Sequence, residues 1–210
     1  ALTSGTLLTV LAAWTLFDLL WGAAGLIAMN DGERVTFGWL LNGLASVILW
    51  IVILLVEREG GSTLWWLMVP SAPVKSLLFG AAMLRIGLYP FHISFPQRAG
   101  DIDPLFLISS MNPVLGLGLL YRVLSLSNVQ ALPGWMMAFG VATLLWGGIQ
   151  AWRCRPADVP VRVSYALLGV ILIGAATADR GPLLLHGTAT WFASWSLLWL
   201  SRPRSRGNVA

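Results

Sequence analysis

The chain has 210 residues, of which 57% are hydrophobic and only 10% charged, with 12 tryptophans and a mean hydropathy of +0.77. A water-soluble domain carries ~45–50% apolar and ~25% charged residues and could not hide so much apolar surface, so the composition excludes a soluble globular fold. The net charge of +4 comes from arginines at the ends of apolar segments rather than a basic patch, which argues against nucleic acid as a partner, and the single Cys154 rules out a disulfide framework.

Apolar stretches bounded by charge, Gly or Pro fall at 6–29, 35–56, 63–89, 104–124, 132–152, 161–178 and 182–201. Each is close to the roughly 20 residues a helix needs to cross the hydrocarbon core. The expectation is an all-α integral membrane protein: one bundle of seven transmembrane helices over residues 1–201, then a basic cytoplasmic tail, 202–210. The first stretch has neither a basic leader nor a small-residue cleavage site and reads as a mature helix. It contains Asp18, with no basic residue within a helical turn, so a partner must come from another helix. The third stretch is the least regular. Pro70, Pro73 and Lys75 interrupt it and Pro90 closes it, which predicts a kinked or broken helix. Lys75 and Arg85 both lie in this stretch, ten residues and therefore about 15 Å apart on a straight helix. His186 opens the last stretch.

A charged side chain at mid-bilayer costs about 2.5–3.5 kcal/mol on insertion scales, so each of these needs a partner or a purpose. For Asp18 the choice is between a carboxyl that pins two helices together through Arg85 or Lys75 and a member of a proton relay. For His186 it is between a ring that meets water or a backbone carbonyl and a relay group.

Seven crossings put the termini on opposite sides and sort the connections into two groups. One carries Arg34, Arg98, Arg153, Arg155, Arg162, Arg202, Arg204 and Arg206, the other Arg58, Arg122 and Arg180; eight against three places the C-terminus in the cytoplasm and the N-terminus outside. Trp65, Trp66, Trp135, Trp152 and Trp199 lie near span ends and read as headgroup-level anchors. The basic tail is expected to touch anionic lipid. Nothing catalytic emerges. There is no Gly-rich phosphate loop and no nucleophile with a base at a known spacing, and the two histidines, His92 and His186, lie 94 positions apart without a paired metal ligand.

The segment Arg85-Ile-Gly-Leu-Tyr-Pro90-Phe-His92-Ile-Ser-Phe-Pro96, followed by Pro104 and Leu119-Leu-Tyr-Arg122, resembles the antiporter-like membrane subunits of respiratory complex I. In that family the stretch reads Lys, four residues, Pro-Phe-His, then Trp-Leu-Pro, with a downstream Pro and a helix ending in Leu-Leu-Arg. The region around Asp18 resembles the helix where the family has a membrane Glu followed by Leu-Leu-Ser, and Asn42-Gly-Leu-Ala-Ser46 the Gly-Ala-Leu-Ala-Ser opening of its next helix. Val161 to Gly169 sits where the family has Lys-Arg, a spacer and Ala-Tyr-Ser-Ser. The resemblance places these spans at the family's fifth to eleventh helices, with its first four and last few outside the chain, and implies the same orientation as the arginine count.

The departures bear on function. Where the family has its lysine, this chain has Arg85, whose guanidinium stays charged and cannot hand on a proton. Counting back from Arg122, the family's next buried lysine falls on Pro113, which is expected to kink its helix. Where some relatives carry His, His and Lys at intervals of four, the last span reads His186, Thr190 and Ser194. His92 either packs at an interface or lies near the inner mouth of a half-channel.

Three functions stand open: a shortened antiporter-like subunit of a larger energy-converting assembly, with impaired proton conduction of its own; an accessory or scaffold subunit of a photosynthetic or respiratory complex; and the membrane subunit of an ion-coupled inorganic-carbon uptake system. Each implies other membrane subunits and lipids as partners and no cofactor bound by this chain alone, with lipid or quinone contact where helices are missing. The implied location is a bacterial inner membrane or an intracytoplasmic or thylakoid-type one. A cysteine introduced at Gly207 should escape an impermeant thiol reagent applied outside sealed cells, whereas strong external labelling would reverse the orientation.

Overall fold

The computed structural model describes residues 5–28, 32–92, 111–126, 132–177 and 180–200. Seven α-helices run through them: α1 (Leu7–Ala28), α2 (Gly32–Arg58), α3 (Ala72–Ile86), α4 (Met111–Ser125), α5 (Leu132–Arg153), α6 (Val159–Thr177) and α7 (Arg180–Leu200). A single 3-10 turn, Pro156–Asp158, joins α5 to α6. Among the described residues, α1, α2, α5 and α6 are each long and apolar enough to cross a membrane by themselves. The protein is an all-α integral membrane protein. Arg98, Pro104 and the tail 202–210 fall outside the described residues, as does the start of the fourth expected stretch.

The third stretch is broken, and the break has a definite form. Residues 59–71 are not helical, and α3 begins only at Ala72. Ser71 is extended (φ −64°, ψ 164°), and Pro73 occupies the first turn, where a missing N–H leaves no helical bond unmade. Pro70 and Pro73 therefore start a helix rather than bend one. Gly87, left-handed at φ 71°, ends it, its N–H shared between the carbonyls of Met83 and Leu84, each at 3.2 Å. The 15 residues of α3 span only about 22 Å, less than the ~30 Å hydrocarbon core. Irregular backbone near membrane depth must find protein partners. Here the start of α1 supplies them: Leu7 N–H donates to the Thr63 carbonyl at 2.9 Å, and Trp65 N–H to the Gly5 carbonyl at 3.2 Å.

That pairing corrects one expectation. Trp65 is drawn inward to 5% exposure instead of anchoring at the headgroups, while its neighbour Trp66 is 70% exposed. Trp135 and Trp152 are exposed as anchors would be, and the Trp199 side chain lies outside the description.

The helices pack as α1 on α2, α2 on α3, α3 on α4, then α4 on α7, α7 on α6 and α6 on α5. Hydrocarbon gives no hydrophobic drive for helices to associate, so close van der Waals contact does much of the work, and small residues permit it. At the α5–α6 contact a Cβ on Gly169 would lie 2.5 Å from the Gly140 carbonyl and 2.7 Å from the Leu144 nitrogen. Both are backbone atoms, which no rotamer change can move aside. A Cβ on Gly148, one position along α5 from the contact residue Gly147, would meet nothing within 4 Å. Gly169→Val should therefore destabilise the protein in detergent by at least the ~1–3 kcal/mol typical of overpacking, while Gly148→Ala should be neutral or gain up to ~1 kcal/mol of helix propensity. Thermal unfolding of the two variants side by side checks the contrast.

Candidate functional site

Among the described residues, a buried ion pair joins α1 and α3. Asp18 sits midway along α1 at 5% exposure, and Arg85, in the last turn of α3, at 1%. The Arg85 Nη1 lies 2.6 Å from Asp18 Oδ1 and donates to Oδ2 at 2.7 Å. A cation in the last turn also faces the negative end of its own helix dipole. From α2, Ser46 Oγ donates to Asp18 Oδ2 at 3.1 Å, so three helices converge on one carboxylate.

The geometry is end-on. One guanidinium nitrogen stands astride both carboxylate oxygens, instead of two nitrogens forming the parallel fork that makes arginine–carboxylate pairs strongest. Arg85 Nε and Nη2 are consequently buried without a hydrogen-bond partner among the described residues. An unmade bond to a buried donor costs about 1–3 kcal/mol. Aromatic faces offset part of that: the Arg85 Cζ lies 4.7 Å from the Trp14 ring centroid and 5.6 Å from that of Phe17. Trp14 precedes Asp18 by one helical turn, so a single stretch of α1 supplies both the counter-charge and the π face.

The other candidates are dispersed. Lys75 is half-buried near the start of α3, about 15 Å along the helix from Arg85. Pro113 is buried, the third residue of α4. His186 is exposed on α7, and its backbone carbonyl accepts from Thr190 Oγ1 at 2.8 Å; Ser194 Oγ in turn donates to the Thr190 carbonyl at 2.7 Å. The two hydroxyls of that stripe thus bond back onto their own helix.

His92 joins a cluster of aromatic rings. Its ring stacks on Tyr89 at 5.5 Å between centroids and meets Trp146 of α5 at 5.2 Å and Tyr165 of α6 at 5.6 Å. The backbone N–H of Tyr89, just before Pro90, donates to Thr143 Oγ1 on α5 at 3.2 Å. Burial pushes the His92 imidazole below its ordinary range, opposed by the nearby Pro90 backbone and reinforced by the Arg162 cation. The segment after α3 is thereby clamped to the α5–α6 hairpin.

Sequence reasoning passed over Ser46, Trp14 and Phe17 as members of the site, and Tyr89, Thr143, Trp146 and Tyr165 as its neighbours. A signal existed for Ser46: with Asn42, also buried, it forms a polar stripe four residues apart on an otherwise apolar helix. The tryptophans carried none, because the chain has 12 of them; tyrosine is rare, with only 3, and two of those, Tyr89 and Tyr165, lie in the cluster.

No family model matches the chain, and no solved structure does. It is similar to NADH-ubiquinone oxidoreductase chain 2 of Oryzorictes hova, with 22% identity over 192 residues that cover 81% of this chain and 53% of that protein. The aligned region thus spans about half the length of the curated relative.

Removing one partner of a buried pair leaves an uncompensated charge and costs about 3–5 kcal/mol. Asp18→Asn should lower stability in detergent by that amount. The exchanged pair, Asp18→Arg with Arg85→Asp, should recover part of the loss. A neutral Asp18→Asn, read by thermal unfolding, would show that the pair does not hold the helices.

Proposed function

We propose that this chain is a shortened, antiporter-like membrane subunit of a complex I-type energy-converting assembly, in which the Asp18–Arg85 pair locks a helix junction and does not relay protons. The observation that carries the reading is the ion pair itself, an acidic residue on one helix and a basic residue on another meeting inside an apolar bundle. The similarity to NADH-ubiquinone oxidoreductase chain 2 supports the class of assembly.

Chemistry separates locking from relaying. A relay group must gain and lose its proton within the working pH range. Lysine does so when burial lowers its pKa, but a guanidinium remains protonated at any accessible pH. Arg85 gives Asp18 a counter-charge of the same permanence, 2.6 Å from Oδ1. A fixed cation in a narrow passage also repels hydronium. Lys75 stands about 15 Å from the pair along α3, too far for direct proton transfer, and Pro113 offers neither charge nor donor on α4. The chain's contribution to an assembly is then its packing surface, with partner subunits supplying any continuous path.

Reconstituted alone in vesicles under an imposed pH gradient, the protein should leak no more protons than empty liposomes, and Arg85→Lys should not open a path by itself. A leak abolished by Asp18→Asn would reverse the assignment from lock to relay.

A further inference from the structure

The end of the bundle where α5 turns into α6 carries a surface that the ion pair leaves unused. Helix α5 finishes in Trp152 and Arg153, the turn adds Arg155, and the first turn of α6 adds Arg162. Trp152 is 91% exposed, and Arg153 and Arg155 are exposed. Arg162 is half-buried, its Nε enclosed and without a hydrogen-bond partner among the described residues.

The hairpin places these residues at one end of the α5–α6 pair, with Arg162 on the side of His92. A Cβ on Gly147 would lie 2.9 Å from backbone atoms of Ala166, so the two helices touch there. Arg153 is six residues beyond Gly147 and Arg162 four before Ala166, or about 9 Å and 6 Å of helix rise from the contact. The turn is fixed by Cys154 N–H donating to the Gln150 carbonyl at 3.0 Å and Asp158 N–H to the Arg155 carbonyl at 2.8 Å. Three arginines against the one aspartate leave an excess of two positive charges.

Below this charge lies an apolar strip. Leu145 and Ile149, 59% and 50% exposed, precede Trp152 by seven and three residues and share its face of α5. From the hydrocarbon outward the order is aliphatic side chains, an indole, then guanidiniums. A phospholipid runs in the same order, acyl chain, interface, phosphate, and guanidinium pairs with phosphate oxygens through parallel N–H donors. Among the described residues of this turn the excess charge is positive, which favours a headgroup of net negative charge over a zwitterionic one.

We propose that the α5–α6 turn is a headgroup site for an anionic phospholipid, its phosphate held by Arg153, Arg155 and Arg162 and an acyl chain lying along Leu145 and Ile149. The test is native mass spectrometry of the 210-residue chain released from nanodiscs that contain equal phosphatidylglycerol and phosphatidylcholine. Phosphatidylglycerol should be retained in preference. Arg153→Gln with Arg155→Gln, both at exposed positions where folding is not at stake, should weaken its retention about 25-fold, roughly fivefold per arginine. Arg162→Gln should weaken it again, and Arg162→Lys less. Arg58→Gln, at the end of α2, controls for the general attraction of anionic lipid to any basic edge and should leave retention unchanged. Equal retention of the two lipids, or a loss for Arg58→Gln as large as for the double variant, overturns the proposal. Displacement of the lipid by millimolar inorganic phosphate overturns it too, since the site would then be one for a free anion.

Discussion

A charge inside hydrocarbon is the constraint around which the first three helices are arranged. An unpaired charge is costly in an apolar bundle, and the contact between Asp18 and Arg85 ties α1 to α3. The start of α3 at Pro73 and its left-handed end at Gly87 bracket a short helix whose last turn carries the guanidinium. The end-on contact leaves two buried nitrogens of Arg85 without hydrogen-bond partners among the described residues. Replacing such a pair by well-packed apolar residues is often neutral or favourable in other proteins, so the pair is not by itself a sign of high stability.

The second half of the chain solves the same problem by the opposite means. Helices α5 and α6 associate without charge, by removing side chains: Gly140, Gly147 and Gly169 let backbone approach backbone. The six residues Gly87 to His92 join the two solutions, since they cap the helix that carries Arg85 and then place Tyr89 and His92 against Trp146 and Tyr165. Any rearrangement at the ion pair has a short covalent route to the α5–α6 hairpin.

The similarity covers four-fifths of the chain at 22% identity. Apolar positions in a lipid-bathed helix interchange freely. An arginine beside an aspartate is a different chemical object from a lysine beside one, because only the lysine can titrate. The functional reading therefore rests on the atoms of one pair more than on overall likeness.

The sequence by itself determined the class of the protein, the number of apolar segments and nearly all their limits, because hydrocarbon thickness and backbone hydrogen bonding constrain them whatever the packing. It also singled out Asp18 and Arg85, since an ionisable residue in an apolar run stands out by its cost. Only the tertiary structure decided that Pro70 and Pro73 begin a helix, that Trp65 is buried with its backbone N–H on the Gly5 carbonyl, and that α4 packs on α7. It alone gathered Ser46, Trp14 and Phe17 around the guanidinium and Tyr89, Trp146 and Tyr165 around His92. The physical reason is that a linear pattern of apolar and polar residues records how far each segment can sit from water, whereas the identity of its neighbours depends on shape and on hydrogen-bond geometry between segments far apart in the chain.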